Sequence, residues 1–204
     1  MIDDTFNIKK FAIKSNLNFD NLNINYRSNF IKKYLTSFDN KITIKNPQIL
    51  FEYSKDMINF QLDGKYLLQN KEDNFFIKYK GSKNNFEIYT LLDLDDSDLK
   101  IDEIQYLKKK NIPSKLEILF NKSTNGFNLQ NISFTENKNY ISVNNLYISD
   151  DFKLQSVEKI DVNFFNIKGV KNNFQIKKNS NNYQFIGNQI DGEKIIEKLL
   201  NSNN

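Results

Sequence analysis

The chain has 204 residues, a formal net charge of +4, and neither cysteine nor histidine. It therefore has no thiol nucleophile, no Ser-His or Cys-His catalytic pair, no disulfide and no thiolate or imidazole metal site. The excess of Lys+Arg 29 over Asp+Glu 25 is mild and spread along the chain, so the sequence does not favour nucleic acid as a partner.

Apolar and polar residues alternate with period two from about Thr5 onward, which predicts β-strands along most of the chain. The alternation loses its phase at several places, for example at Lys9-Lys10 and at Asp20-Asn21. A shift of one residue turns every side chain to the other face of a strand, so each phase break predicts a turn or a bulge.

One early stretch has helical periodicity instead, and it predicts a helix from about Asn29 to Ser37. Ser28 is suited to the N-cap position of this helix. The apolar residues that form its single face are Phe30, Ile31, Tyr34, Leu35 and Phe38.

Short strands resume after this helix and start roughly every 8 to 12 residues, which is typical of an antiparallel meander. No stretch between them is long and helical enough to connect parallel strands. Dipeptides that favour turns separate the strands, namely Asn46-Pro47, Asp63-Gly64, Lys80-Gly81, Asn84-Asn85 and Asn125-Gly126. The predicted fold class is mostly β, with one antiparallel sheet of many short strands.

The segment between Leu91 and Pro113 is the least regular part of this pattern. The acidic cluster Asp93, Asp95, Asp96 and Asp98 is a candidate Ca²⁺ loop, but it lacks the glycine and distal glutamate of an EF-hand, so a solvated turn is the favoured interpretation. Asp102–Lys110 is compatible with a helical turn. We interpret Lys108-Lys109-Lys110 as another solvated turn because no aromatic residues are interleaved with the lysines.

The apolar face of such a sheet needs a cover, and two helices of about 15 Å each are too short to provide one. The sheet can fold into a closed sandwich, close into a barrel, or curl into a trough with an apolar interior that holds a ligand. A dry sandwich or barrel is the commoner solution. The inward apolar residues are candidates for lining such a trough, or else ordinary core: Phe51, Phe60, Phe75, Ile77, Phe86, Ile88, Phe120, Phe134 and Phe152.

The last stretch, 183–201, predicts a strand, a tight Gly-Asn turn and a short amphipathic helix. Asp191 and Glu193 could be interpreted as a glycosidase carboxylate pair. Their positions favour a structural role instead, with Asp191 as the helix N-cap and Glu193 in the first turn, where negative charge suits the helix dipole.

This closing unit resembles that of the AsmA-like repeat family, and the resemblance is clearest over residues 90–200. It consists of a Tyr-x-Phe-x-Gly strand, an Ile-Asp-Gly segment and a helix that ends in paired leucines. The preceding segments also resemble the family's order of a "D-L" strand, a polar loop with proline, and successive short strands. These segments are 98–101, 112–118, 129–134, 141–143 and 152–157.

The resemblance implies a long antiparallel curled sheet with two short helices, and residues 1–204 as a single β-groove segment of a longer chain. It implies no enzymatic activity, cofactor or metal, but binding and conduction of phospholipid acyl chains between the inner and outer membranes. Neighbouring β-groove repeats would be partners, and the location would be periplasmic, with an inner-membrane anchor absent from this chain. The alternative is a closed β-sandwich that serves as a surface, adhesion or binding module with a dry core.

Overall fold

The computed structural model describes residues 12–68, 71–123, 126–151, 153–194, 196 and 197. These residues form one antiparallel sheet of twelve strands and a separate two-stranded hairpin. In chain order the elements are β1 (Ala12–Asn18), β2 (Asn21–Asn25), α1 (Asn29–Tyr34), β3 (Lys41–Ser54), β4 (Met57–Leu67), β5 (Glu72–Gly81), β6 (Phe86–Asp93), β7 (Leu99–Ile101), a 3₁₀ helix (Asp102–Ile104), β8 (Tyr106–Lys108), β9 (Ser114–Ser123), β10 (Gly126–Glu136), β11 (Asn139–Ile148), β12 (Leu154–Phe165), β13 (Lys171–Asn179) and β14 (Asn182–Gln189).

The large sheet is an open meander. Its strand order is β1-β3-β4-β5-β6-β9-β10-β11-β12-β13-β14, and β2 pairs with the other half of β3. Within the described ranges, β1 and β14 do not pair with each other, so the sheet does not close. The prediction of a mostly β, antiparallel, curled sheet is confirmed.

Two dipeptides that predicted turns lie inside long strands. Asn46-Pro47 forms a bulge in β3, where the register with β4 shifts between Lys45 and Gln48. Gly64 lies opposite this bulge, in the interior of β4. A Cβ atom at Gly64 would lie 3.1 Å from the carbonyl oxygen of Lys45 and 3.2 Å from the Cα atom of Pro47. Glycine is therefore needed here for the close approach of two strands, not for a chain reversal.

Bulges also explain later phase breaks in the sequence. The register between β9 and β10 shifts between Leu129 and Asn131, so two predicted short strands form the single strand β10. Before the shift Leu129 pairs with Phe120, and after it Phe134 pairs with Leu116. The apolar positions of β10 have odd numbers before the bulge (127 and 129) and even numbers after it (132 and 134). The bulge thus keeps their side chains on one face of the sheet.

The connection between β6 and β9, residues 94–113, folds back over the sheet as the β7–β8 hairpin. We call this connection, together with α1 and residues 35–38, the cap. In α1 the Ser28 hydroxyl accepts a hydrogen bond from the Ile31 N–H at 3.2 Å, which confirms the predicted N-cap. The helix ends at Tyr34, not at Ser37, because the Thr36 and Ser37 side chains leave the helix and hydrogen-bond to the carboxylate of Asp98.

The cap gives the sheet two unlike edges. The connections β4–β5, β6–β9, β10–β11 and β12–β13, and the β2–β3 connection that contains α1, lie at one end of the strands, which we call the capped edge. The connections β3–β4, β5–β6, β9–β10, β11–β12 and β13–β14 lie at the opposite end, which we call the open edge. The buried core follows the capped edge and consists of Ile44, Tyr66, Phe75, Leu94, Tyr106, Phe134, Val162, Phe164 and Phe174. The β7–β8 hairpin supplies Tyr106 to this core, and the β6–β7 segment supplies Leu94.

The strand and the start of the helix in the closing unit agree with the prediction, but the predicted Gly-Asn turn is wrong: Gly187 and Asn188 lie within β14, where the register with β13 shifts between Asn173 and Phe174. Tyr183–Ile186 lies in β14, and residues 193, 194, 196 and 197 are helical. The carboxylate of Asp191 accepts a hydrogen bond from the Glu193 N–H at 3.3 Å, as expected of a residue that caps a helix. The rest of the predicted closing helix lies outside the described residues.

Candidate functional site

The concave face of the sheet consists of rows of side chains that run across the strands, because paired residues on antiparallel strands point to the same face. We distinguish three rows. The open-edge row is Phe51, Phe60, Tyr79, Ile88, Phe120, Leu129, Leu146 and Val157. The middle row is Leu62, Ile77, Thr90, Ile118, Ile132, Val143, Ile160, Ile176 and Phe185. The cap row is Phe75, Leu92, Leu116, Phe134, Ile141, Val162 and Phe174.

The strand register brings eight of the nine predicted lining residues onto this one face. Four belong to the open-edge row, Ile77 belongs to the middle row, and Phe75 and Phe134 belong to the cap row. Phe86 pairs with Gly81 and lies one step further toward the open edge. Phe152 lies outside the described residues. Only Phe75 and Phe134 are buried, whereas the other six are half-buried.

An apolar cavity of about 620 Å³ lies between the sheet and the cap. The parts of the cap row and the middle row that lie between β4 and β11 form most of its floor, and residues of the cap that include Ile31, Leu35, Leu99 and Ile101 form its cover. Every lining residue is Ile, Leu, Val, Phe or Tyr. The volume falls within the range of small-molecule binding sites, about 300–1,000 Å³, but the polar groups that usually orient a ligand are missing from the lining.

The deepest tyrosine of the lining directs its polar atom away from the cavity. The hydroxyl of Tyr66 donates a hydrogen bond to the main-chain carbonyl of Asp93. Burial, with the nearby carboxylates of Asp73 and Asp93, raises the pKa of Tyr66, so this side chain stays neutral. The cavity thus offers a ligand dispersion contacts and apolar surface but no charge.

Tyr106 anchors the hairpin of the cap to the sheet. Its side chain is 1% exposed, and its ring makes edge-on contacts with Phe164 at 5.1 Å and with Phe134 at 5.7 Å between ring centroids. The Tyr106 hydroxyl donates to the carboxylate of Glu136, which also accepts from the side-chain amide of Asn139 at 3.1 Å. Burial raises the pKa of Tyr106, and Glu136 raises it further.

Lys108 anchors the same hairpin from within, and here the predicted solvated turn is wrong. The Lys108 side chain is fully buried, whereas Lys109 is exposed. The Lys108 Nζ atom donates to the carbonyl oxygens of Ser97 at 2.7 Å, Asp95 at 3.1 Å and Lys109 at 3.1 Å. Burial lowers the pKa of Lys108. The three carbonyl groups use all three donors of the ammonium group, which explains why a lysine is tolerated at this position.

The far end of the cap is joined to the C-terminal part of the sheet. The carbonyl oxygen of Gln105 accepts the N–H of Ile167 at 2.9 Å. The carboxylate of Asp191 accepts from the side-chain amides of Gln105 at 3.3 Å and Asn166 at 2.7 Å. The sequence interpretation placed Asp191 correctly next to a helix. It missed the contacts of Asp191 with Gln105 and Asn166, which are far from it in the chain.

The acidic cluster that was a candidate Ca²⁺ loop lies at the end of β6 and in the cap, and its carboxylates are half-buried. The carboxylate of Asp95 accepts the N–H of Ser114 at 2.8 Å, and Asp98 binds the hydroxyl groups of residues 36 and 37. Ser97 is only 6% exposed. In the described part of the chain, no three acidic side chains are grouped as metal ligands. These carboxylates hold the cap together.

Comparisons of the chain with protein-family models, with curated proteins and with solved structures found no match. Among the residues that the structure covers, no helix is long and apolar enough to cross a bilayer. The geometry of the apolar face is therefore the only basis, beside the resemblance of the sequence, for a functional proposal.

Proposed function

We propose that this chain is a non-enzymatic lipid-binding segment whose concave apolar face holds the acyl chains of phospholipids. In this proposal it forms part of a longer AsmA-like protein of the periplasm, anchored in the inner membrane, that conducts phospholipid between the inner and outer membranes. The observation that carries the proposal is the partly open cavity of about 620 Å³ with a wholly apolar lining.

The continuity of the apolar face supports conduction as well as binding. The middle row runs from Leu62 on β4 to Phe185 on β14 and is interrupted by only one polar residue, Thr90. The open-edge row lies beside it, and its side chains are half-buried except for Val157, which is buried. A hydrocarbon chain could therefore move from strand to strand without leaving apolar surroundings, and each buried methylene group contributes about 0.8 kcal/mol.

The outermost strands of the sheet, β1 and β14, support association with neighbouring β-groove repeats. Every described side chain of β14 is exposed, and those of β1 are exposed except for Ser15. Exposed edge strands have unpaired main-chain groups that can pair with a further strand. The alternative, a sandwich with a dry core, requires a second layer over the whole apolar face. The described part of the cap covers only the rows nearest the capped edge.

Site-specific photo-crosslinking in cells tests this proposal. A photoreactive phenylalanine analogue would replace Phe60 or Ile88, which lie on the concave face in the open-edge row. The matched controls are Gln61 and Glu87, the neighbours of these residues on the opposite face of the same strands. After irradiation and purification, adducts would be identified by mass spectrometry.

We expect phospholipid adducts at positions 60 and 88 but none at positions 61 and 87. Thermal unfolding of each variant would verify that the sheet is intact before adducts are compared. Lipid adducts at neither face, or equally at both faces, would contradict the proposal.

A further inference from the structure

The cavity beneath the cap is long and narrow. Its floor includes residues of β3, β4, β5, β6, β9, β10 and β11, which are seven neighbouring strands of the sheet. Neighbouring strands are about 4.8 Å apart, so the cavity extends about 29 Å across the strands. Along β3, β5, β9, β10 and β11 the floor is two side chains wide, which corresponds to about 7 Å, whereas on β4 it extends from Leu62 to Tyr66.

These dimensions limit what the cavity can hold. A volume of 620 Å³ spread over a length of about 29 Å gives a mean cross-section of about 21 Å², a passage about 5 Å across. Carbon atoms of neighbouring groups approach to about 3.5–4 Å, so one extended hydrocarbon chain fills such a passage. Two chains side by side would need about twice this mean cross-section, and methyl branches would widen a chain beyond it.

The cover is what makes the passage narrow, and it is firmly attached. Tyr106 joins the cap to β10, and Gln105 joins it to the β12–β13 connection. Lys108 ties the hairpin to Ser97, within the cap itself. The open-edge row has no such cover in the described part of the chain, and its Phe120 and Ile88 remain half-buried. The concave face therefore has a narrow covered part and a wide uncovered part.

We propose that the covered cavity binds one unbranched hydrocarbon chain in single file, lying across the strands from β3 to β11, with its polar end outside. This inference rests on the proposed function and narrows its ligand class to lipids with at least one straight chain. The second chain of a diacyl lipid would lie in the uncovered part, along the open-edge row. An acyl chain of one bilayer leaflet is about 15 Å long, half of the hydrocarbon core, so longer chains should fill the cavity better.

A displacement assay on the purified full chain tests this inference. The probe is cis-parinaric acid, a fluorescent straight-chain fatty acid, at a concentration below that at which it forms micelles. Competitors are saturated straight-chain acids from decanoic to stearic acid, and phytanic acid, which has the same main chain as palmitic acid with added methyl branches. We expect affinity to rise about fourfold per methylene group, and phytanic acid to bind at least tenfold more weakly than palmitic acid.

Two variants locate the site. Ile118→Trp fills the middle of the covered cavity, and Ile176→Trp adds the same bulk in the same row, outside the cavity lining. We expect Ile118→Trp to weaken binding at least tenfold and Ile176→Trp to leave it within twofold. The comparison of straight with branched acids uses the unmodified protein, so it stays informative if Ile118→Trp impairs folding.

The outcomes separate the two proposals. Equal affinity for palmitic and phytanic acid, or equal loss in both variants, would overturn the single-file site, whereas the general lipid-binding function would stand. Absence of any probe binding, together with absence of lipid adducts at positions 60 and 88, would overturn both.

Discussion

The hydroxyl group of Tyr106 is hydrogen-bonded to the carboxylate of Glu136, and this contact joins the hairpin of the cap to the end of β10. Both side chains are buried, at 1% and 6% exposed. A charge-assisted hydrogen bond between buried groups contributes more than one at the surface, because neither partner can exchange it for water. The contact therefore helps to hold the cover over the apolar cavity.

Tyr106→Phe should lower the free energy of unfolding by about 1.5–3 kcal/mol near neutral pH, because Glu136 loses a buried donor. Burial and Glu136 raise the pKa of Tyr106 in the folded state. Above about pH 10 the tyrosine ionises in the unfolded chain but not in the folded one. The folded state then binds more protons, so the unmodified protein loses stability as the pH rises. Because phenylalanine does not titrate, the difference between the two proteins should shrink above about pH 10.

Urea denaturation at a series of pH values from neutral to alkaline measures this effect. Tyr147→Phe is the matched control, since Tyr147 is 38% exposed, and it should change the unfolding free energy by less than about 0.5 kcal/mol. A difference between Tyr106→Phe and the unmodified protein that stays constant across this pH range would contradict the assigned role of the hydroxyl.

Lys108→Met should destabilise the cap, because methionine fills similar space but leaves the carbonyl groups of Ser97 and Lys109 without this donor. We expect a loss of about 2–4 kcal/mol in the free energy of unfolding. Hydrogen exchange at the Ser97 N–H, which donates to the Leu94 carbonyl, should become faster. Lys109→Met serves as the control because that side chain is exposed. If both variants were equally stable, the buried ammonium group would not be an anchor of the cap.

Gly187→Ala should disturb the pairing of β13 and β14. A Cβ atom at Gly187 would lie 2.5 Å from the Cβ atom of Phe174 and 2.9 Å from the carbonyl oxygen of Asn173, so the two strands would have to separate. We expect a loss of about 1–3 kcal/mol and faster hydrogen exchange in β14. At Gly192 the nearest atom is Ile196 Cδ1, at 3.7 Å, and Gly192→Ala should therefore be tolerated. Equal stability of the two variants would show that this close contact is relaxed in solution.

The sheet itself could be predicted from the sequence because period-two alternation records which side of each strand is buried. The register confirms that Phe60, Ile88 and Phe120 share one face, although they come from distant parts of the chain. The number of strands was harder to predict, because a phase break such as Asn46-Pro47 is the same in sequence whether the chain turns or bulges. Only pairing with β4 decides between the two.

The cap could not be predicted, since its residues have the composition of an exposed loop. Lys108 belongs to a run of three lysines, and nothing local distinguishes it from Lys109. It is buried because Ser97 and Asp95 direct their carbonyl groups toward it, an arrangement that exists only after the hairpin has folded back. Helical periodicity likewise extended α1 to Ser37, whereas the Asp98 carboxylate binds Thr36 and Ser37 outside the helix.

Most of the cap is inserted into a single connection, between β6 and β9. The large sheet and the cover of the cavity are therefore encoded by separate parts of the chain. β6 and β9 pair directly up to Asp93 and Lys115, and the N–H of Leu94 donates to the carbonyl of Ser114 at 2.9 Å, so the two ends of the insertion already meet. The intervening residues could be shortened, lengthened or exchanged without moving the register of any strand in the large sheet. The width of the apolar cavity can therefore diversify through one loop while the twelve-stranded framework stays constant.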